Sequence, residues 1–198
     1  MTVAGTIAGG PTRRQAIVAA ARTILEGQGA EALTMRRLGE ALGIRAPSLY
    51  KHFPDKDAIE MALIEIGLRE FGAALAGALG GEGEPLAALG AAYRACALAH
   101  PHLYRLMNDR PLPRDRLPPE VEADAAAPLM QVTGSDVARS RALWAFAHGL
   151  VMLEMHGRFP PGADVEAAWQ AGIAAFVTTQ PSEANIHACP ASMEGVRP

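Results

Sequence analysis

The sequence predicts an all-α protein of about nine helices, in which a small N-terminal helical domain precedes a larger helical body. Hydrophobic residues make up 49% of the 198 residues but aromatic residues only 5%, so most apolar positions hold alanine or aliphatic side chains. Alanine, leucine and glutamate favour helices. Apolar residues recur at helical spacing, and no alternating run of β-branched residues predicts a strand.

The first predicted helix follows Thr12, at the end of a tail (residues 1–10) that is predicted to be disordered. Thr12 and Gln15 have the spacing of a capping box, in which each side chain satisfies a backbone N–H of the other residue. Apolar residues then repeat at helical spacing until Gly27 and Gly29, which predict the end of the helix.

Two short helices joined by a tight turn are predicted next. Thr34 is a suitable N-cap for the first of them, and Gly43 suits the left-handed position after its last residue. Residues 44–46 separate this helix from one predicted over 47–53, where Pro47 fits the first position because its missing N–H costs nothing there. Two helices at this spacing form a helix-turn-helix, whose second helix enters the major groove of DNA.

A long helix, capped by Asp55 and reaching about Leu79, is predicted to pack on both the N-terminal domain and the body. The later helices are predicted over 86–99, just after Pro101, over 120–131, over about 136–157 and over about 164–179. Pro128 is expected to break or kink the helix over 120–131. The predicted organisation is a DNA-binding domain at 11–56, a body at 57–179 and a flexible tail at 180–198.

The helix predicted over 47–53 has two chemically different faces. Leu49 and Phe53 are four residues apart and therefore share the inner face. The outer surface is rich in hydrogen-bond donors, a composition that suits phosphate oxygens of a duplex, and it consists of Ser48, Lys51 and His52 with Tyr50 beside them.

Residues before this helix are predicted to approach the bases and the backbone of DNA. Arg45 and Ala46 lie at its leading end, where a guanidinium can bind guanine in bidentate fashion and a methyl group can contact thymine. Thr34, Arg36 and Arg37, at the start of the preceding helix, are placed to contact the phosphate backbone.

The distribution of charge supports a polyanionic partner for the N-terminal domain. Residues 1–57 contain eight basic and five acidic residues, a net charge of +3, whereas the remaining residues contain ten basic and sixteen acidic ones, a net charge of −6. A basic domain on an acidic body favours nucleic-acid binding by the first part alone.

The stretch "LTMRRLGEALGIRAPSLYKHFPDKDAI" resembles the tetracycline-repressor (TetR) family of bacterial transcription regulators. The resemblance covers residues 12–65 and includes Thr34, Gly43 and the "SLYKHF" segment. It implies phosphate contacts by Tyr50, His52 and Lys56. It does not imply an operator sequence, because the base-reading positions vary within the family.

The segment "RALWAFAHGLVMLEMHGRF" is similar to the Trp-His-Gly helix of one subgroup of this family, matched by Trp144, His148 and Gly149. The resemblance implies a homodimer in which the helices over 136–157 and 164–179 form a four-helix bundle. It also implies a palindromic double-stranded operator, since a two-fold symmetric dimer reads two half-sites. The alternative is that both helices only cover their own core.

A small-molecule effector pocket is the predicted role of a mostly apolar set in the body. The same residues are equally consistent with an ordinary core, because methionine and aromatic residues fill cores as well. The predicted ligand-binding residues are Phe71, Tyr93, Cys96, Met107, Met130, Trp144, His148 and Met152.

Other classes of protein are less consistent with the sequence. There is no nucleophile elbow, phosphate-binding loop or zinc-protease motif, so we predict neither an enzyme nor a cofactor. Cys96 and His100 have helical spacing but lack a recognisable metal motif, so no metal site is predicted. Cys96 and Cys189 suggest no disulfide framework, which fits the cytoplasm, and no segment predicts a signal peptide or a membrane span.

We therefore predict a cytoplasmic, ligand-responsive repressor. Two alternatives remain open at this point: a constitutive regulator whose body serves only dimerisation, and a helical small-molecule-binding protein or enzyme whose N-terminal domain merely packs.

Overall fold

The computed structural model describes residues 12–177, and within this range the chain is entirely helical. Short 3-10 turns at Ala30–Ala32 and Arg114–Arg116 supplement the α-helices. The predicted tails, residues 1–10 and 180–198, lie outside the described residues. The helices are α1 (Arg13–Gln28), α2 (Met35–Leu42), α3 (Ala46–Tyr50), α4 (Lys56–Leu79), α5 (Pro85–Ala99), α6 (Pro101–Asn108), α7 (Pro119–Val132), α8 (Val137–Met155) and α9 (Val165–Val177).

The predicted helix caps of the N-terminal domain are confirmed. Thr12 and Gln15 form the complete capping box of α1. The hydroxyl of Thr34 accepts a hydrogen bond from the backbone N–H of Arg37 at 3.2 Å, and Asp55 accepts one from Ala58 at 2.7 Å. Each cap satisfies a backbone donor that the first turn of a helix leaves unpaired.

The third helix is shorter than predicted. Its α-helical part ends at Tyr50, and Lys51 and His52 form a turn before Phe53. The backbone N–H groups of His52 and Phe53 both donate to the carbonyl of Leu49, so hydrogen bonding continues through the turn. The tighter turn ends the helix ahead of Pro54, which disfavours helical geometry in the residue before it.

Two hydrophobic cores lie along the long helix α4, one at its N-terminal half and one at its C-terminal half. The first core joins α1, α2 and α3 to the N-terminal half of α4 and also contains Leu103 and Leu106 of α6. The second core contains Leu75 of α4 and joins it to α5, α7, α8 and α9. Because α4 contributes to both cores, the predicted packing of this helix on the N-terminal domain and on the body is confirmed.

Helix α7 continues through Pro128 to Val132, so the expected break at this proline is wrong. Pro128 is buried, and α7 packs closely against α4: a side chain at Gly72 would place its Cβ 2.8 Å from Cα of Ala125. Burial of α7 against α4 compensates for the one backbone hydrogen bond that a proline removes.

Candidate nucleic-acid interface and body cavity

The turn between α2 and α3 depends on two glycines. Gly43 has φ +63° and ψ 30°, the left-handed conformation that a side chain disfavours. Gly39 lies so close to the turn that an added Cβ would be 2.9 Å from the carbonyl oxygen of Ile44. The backbone of α2 therefore directly contacts the segment that leads into Arg45.

The inner face of the third helix anchors it to the first core. Leu49 and Phe53 are both 0% exposed. Two fully buried large side chains on so short a segment contribute several kcal/mol of hydrophobic stabilisation, at about 1.5–3 kcal/mol each. They fix the orientation of the side chains on the opposite surface.

The outer surface carries the predicted DNA-contacting side chains together. Tyr50 is 52% exposed, although it is a large aromatic residue. Five neighbouring residues are exposed too: Arg45, Pro47, Ser48, Lys51 and His52. The backbone of α3 begins at Ala46.

The predicted backbone contacts of α2 are partly engaged within the protein. Arg36 is exposed and forms an ion pair with Glu40 at 3.3 Å. Arg37 is half-buried and donates to the side chain of Gln28. The hydroxyl of Thr34 already caps α2, so among these three residues Arg36 has the most accessible polar group.

Lys56 points toward the protein interior. Its ammonium donates to the carbonyl of Ala30 at 3.0 Å and pairs with Glu60 at 3.1 Å. The Glu60 side chain is only 7% exposed and also lies 3.5 Å from a guanidinium nitrogen of Arg110 in the α6–α7 connection. Lys56 thus stabilises the start of α4 in this structure, and a phosphate contact by its ammonium remains a prediction.

Arg14 of α1 supports the surface from behind, a role that sequence reasoning missed. Its guanidinium donates to the backbone carbonyl of His52 at 2.9 Å. It also lies 4.1 Å from the centre of the Phe53 ring, a distance typical of a cation–π contact. The excess of basic residues near the start of α1 was the available signal.

A partly open cavity of about 230 Å³ lies in the body between α4, α5 and α6. Of the predicted ligand-binding residues, Phe71, Cys96 and Met107 line it. Tyr104 and Glu70 line it too and were not predicted. The complete lining is Gly67, Glu70, Phe71, Cys96, His100, Leu103, Tyr104 and Met107.

The other predicted ligand-binding residues lie outside this lining. Trp144 is 49% exposed on α8. The sulfur of Met130 lies 3.1 Å from the hydroxyl of Ser140, and Met152 packs against the second core. Cys96 and His100 face the same cavity, yet in residues 12–177 no group of three histidine, cysteine or acidic residues could hold a metal ion.

Tyr93 and His148 are connected to the cavity by a chain of hydrogen bonds. The hydroxyls of Tyr93 and Tyr104 are 2.8 Å apart, and the Tyr104 hydroxyl is 2.8 Å from Nδ1 of His148. Burial raises the pKa of Tyr93 to about 12 and also raises the pKa of Tyr104. Burial lowers the pKa of His148, and Asp109 opposes this effect.

Polar contacts also connect α1 to the rim of the cavity. Arg22 pairs with Glu70 at 2.6 Å, and Glu26 Oε1 lies 3.6 Å from Nδ1 of His100. Since Glu70 and His100 line the cavity, the N-terminal domain contacts two side chains of the cavity lining.

No helix in the described range is long and apolar enough to cross a membrane.

Helices α8 and α9 present small side chains on their outer faces. Ala142 and Ala145 are exposed, and a Cβ added at Gly149 would meet no atom within 4 Å. Ala167 and Ala171 are exposed on α9. Ion pairs connect both helices to α5. Arg94 of α5 pairs with Glu154 of α8 at 2.8 Å and with Glu166 of α9 at 2.9 Å.

Two family models match most of the described chain. Residues 17–62 match the bacterial regulatory proteins of the tetR family, and residues 86–176 match the tetracyclin repressor-like C-terminal domain. The first match contains α2, α3 and the start of α4, and the second contains most of the body.

Individual proteins agree with these models. An uncharacterized HTH-type transcriptional regulator of Mycobacterium tuberculosis, Rv0681, is 33% identical over 161 residues, which cover 73% of this chain and 71% of that protein. The tetracycline repressor protein class C of Escherichia coli is 45% identical over 53 residues, which cover 27% of this chain and 24% of that repressor.

Among solved structures, a protein of unknown function from Rhodococcus sp. RHA1 has a TM-score of 0.71 and 26% identity, over 84% of this chain and 94% of that one. The similarity to Rv0681 covers more than two thirds of both proteins, and the two family models match the N-terminal and C-terminal parts of this chain in that order. This chain therefore belongs to the TetR family of bacterial transcriptional regulators.

Proposed function

We propose that the chain is a dimeric repressor that binds a palindromic operator and releases it when a small molecule occupies the body cavity. One observation carries the proposal. The donor-rich surface formed by Arg45, Ser48, Tyr50, Lys51 and His52 is exposed, while Leu49 and Phe53 on the other side of the same segment are 0% exposed. Because a cytoplasmic setting gives access to bacterial DNA, the proposal implies that location.

The chemistry of the exposed groups suggests which of them contact phosphates and which contact bases. The phenol, ammonium and imidazole of Tyr50, Lys51 and His52 suit phosphate oxygens, which set affinity and register. Arg45, Ala46 and Ser48 precede them and suit base edges in the major groove. Arg36, which is exposed on α2, suits an adjacent phosphate.

The outer faces of α8 and α9 support the proposed dimer. Small residues at Ala142, Ala145, Gly149 and Ala171 allow the backbones of two copies to approach closely. Trp144 and Leu153 on α8 are 49% and 42% exposed and would be covered in a four-helix bundle. Dimerisation would place two recognition helices about one helical turn of DNA apart, at about 34–36 Å.

Effector release follows from the position of α4 between the two cores. Gly67, Glu70 and Phe71 of α4 line the cavity, while Ile59 and Leu63 of the same helix belong to the first core. A ligand that prefers one position of α4 would change the distance between the recognition helices of the dimer. Its effect on DNA affinity cannot exceed its difference in affinity for the two positions.

Binding to duplex DNA at several salt concentrations tests the proposal. Fragments from the region upstream of the gene should be selected with the full chain and then titrated by fluorescence anisotropy. Lys51→Ala should weaken binding to all sequences and reduce the salt slope by about two, because the dimer loses one phosphate contact in each half-site. Arg45→Ala should instead relax preference at one base position, by about 1–3 kcal/mol.

The exposed Arg158, in the α8–α9 connection, provides a control for net charge. Arg158→Ala should leave affinity and salt slope nearly unchanged. Equal affinity of the wild type and the Lys51→Ala variant for every fragment would refute the DNA-binding role of this surface. An unchanged affinity with every small molecule that binds the cavity would instead identify a constitutive regulator.

A further inference from the structure

The charged groups beside the body cavity do not balance. Arg22 of α1 pairs with Glu70 of α4 at 2.6 Å, and the field of Glu26, one turn further along α1, also raises the pKa of Arg22, although less than the hydrogen bond to Glu70 does. One guanidinium therefore faces two carboxylates, and the formal charge of the three side chains is −1.

One oxygen of the second carboxylate lacks a hydrogen-bond donor. This atom, Oε1 of Glu26, is buried and has no hydrogen bond. The His100 imidazole lies 3.6 Å from this oxygen, beyond the usual hydrogen-bond distance. Within residues 12–177, Glu26 forms an ion-pair contact only with His100, and Glu70 only with Arg22.

The cavity next to these groups has a lining that suits an organic cation. Phe71 and Tyr104 present aromatic rings, with their centres 5.9 Å apart, and Met107 adds a polarizable sulfur. Aromatic faces attract cations, more strongly where water is excluded. Glu70 is the acidic residue of the lining, its side chain is half exposed, and its hydrogen bond with Arg22 is made by Oε1.

We propose that this cavity takes a small monocation, a protonated amine carried on one ring or a short apolar chain, whose ammonium binds Glu70. The inference rests on the proposed effector site and deepens it by naming the class of ligand. The cavity, at about 230 Å³, is smaller than most drug-sized sites, which measure about 300–1,000 Å³, so the ligand has about the size of one ring.

The same geometry gives the cation a path to the DNA-binding domain. Glu70 is the partner of Arg22, and Arg22 lies on α1, two turns after the Arg14 that holds the carbonyl of His52. An ammonium on Glu70 competes with Arg22 for the carboxylate. Binding of the ligand therefore weakens one of the contacts between α1 and α4 and lowers the affinity for DNA.

Three probes of similar shape and different charge test the ligand class by calorimetry on the full chain. They are 2-phenylethylammonium, 2-phenylethanol and phenylacetate. We expect the ammonium to bind at least about tenfold more tightly than the alcohol, since a charge-assisted hydrogen bond is about twice as strong as a neutral one. Equal or tighter binding of the alcohol or of phenylacetate, or no binding of the ammonium, would overturn the proposal.

A pair of variants on α4 tests the residue. Glu70→Gln should reduce the preference for the ammonium over the alcohol to less than about threefold, because the neutral amide removes the charge. The control is Glu65→Gln on the same helix. Glu65 pairs with Arg69 and does not line the cavity. The control variant should keep the full preference, and a preference that survives in Glu70→Gln would assign the recognition elsewhere.

DNA binding is measured in parallel on the same samples. A failure of the proposed DNA-binding function can then be distinguished from a failure of the proposed ligand class. Arg22→Gln should lower DNA affinity several-fold without any ligand, as 2-phenylethylammonium should in the wild type. Absence of DNA binding in all samples would refute the proposed function, while the calorimetry would still decide the ligand class. Intact DNA binding that neither the ammonium nor Arg22→Gln affects would overturn the proposed path.

Discussion

The guanidinium of Arg14 holds the backbone carbonyl of His52 at 2.9 Å, across 38 residues of sequence. His52 closes the turn after α3, and its imidazole is exposed beside Lys51. The first helix thus fixes the end of the recognition segment at the point where its phosphate-binding groups lie. The arrangement makes the position of the interface depend on α1 as well as on the α2–α3 turn.

Loss of this contact should weaken DNA binding through the position of His52 and not only through charge. In Arg14→Lys the charge stays, but the planar fork that reaches both the carbonyl and the Phe53 ring is lost. We expect a stability loss of about 0.5–1.5 kcal/mol and weaker DNA binding. Chemical denaturation and anisotropy measure the two effects.

The neighbouring Arg13 serves as the control, because it is exposed at the start of the same helix. Arg13→Lys should behave as the wild type in both measurements. If Arg14→Lys also matched the wild type, the contact with His52 would have no part in positioning the interface.

Gly39 should tolerate no side chain. A Cβ at this position would lie 2.9 Å from the Ile44 carbonyl oxygen, which is backbone and has little freedom to move. Gly39→Val should therefore destabilise the protein by about 1–3 kcal/mol, as overpacking does elsewhere. Because Ile44 precedes Arg45, base preference should be lost along with stability.

A glycine in the preceding helix should respond in the opposite direction. Gly27 lies in the last turn of α1, and a Cβ there would meet no atom within 4 Å. Gly27→Ala should stabilise the protein by about 0.5–1 kcal/mol, because it removes the conformational cost of glycine in a helix. Thermal unfolding of both variants compares them directly, and a stable Gly39→Val protein would show that the α2–α3 turn can shift.

The N-terminal domain was predictable from sequence because its signals are local. Thr12, Thr34 and Asp55 cap helices through side chains that lie within three residues of their partners, and Gly43 adopts the conformation that its type favours. The exposed surface of the third helix follows from the position of Leu49. The contact of Arg14 with His52 could not be predicted from local signals, because it depends on how α1 crosses the end of α3.

The cavity was only partly predictable, because its lining comes from three helices whose crossing is set by packing. Phe71, Cys96 and Met107 were identified, but Glu70 and Tyr104 were not. Charged residues on a helix are usually solvated, so nothing in the sequence distinguished Glu70 from Glu65. Tyr104 lies on the same short helix as Met107. The sequence did not distinguish it from the other apolar residues of that helix.

Acidification should destabilise the protein through His148. Burial lowers the pKa of this imidazole in the folded state, so below an unfolded value of about 6.5 the unfolded chain binds a proton that the folded chain does not. Stability should therefore fall as the pH is lowered from 8 through 6.5. The phenols of Tyr93 and Tyr104 stay protonated over this range, since burial raises both pKa values.

Thermal unfolding of His148→Asn between pH 8 and pH 5.5 isolates this contribution. The variant should lose less stability on acidification than the wild type, although it is less stable at pH 8 because Tyr104 loses its ring partner. His156→Asn, which changes an exposed histidine just after the same helix, should keep the pH dependence of the wild type. Parallel curves for the wild type and His148→Asn would contradict the assignment.

A charge on the small face of α8 should separate the proposed dimer. Ala145 is exposed between Ala142 and Gly149, and Ala145→Glu would place two carboxylates near the two-fold axis while preventing close approach of the helices. We expect a monomer in sedimentation, with an unchanged helical spectrum and much weaker operator binding, since each copy then reads one half-site. Ala127→Glu on the exposed side of α7 is the matched control and should remain dimeric. If Ala145→Glu remained dimeric with full operator affinity, the two copies would associate through a face other than this one.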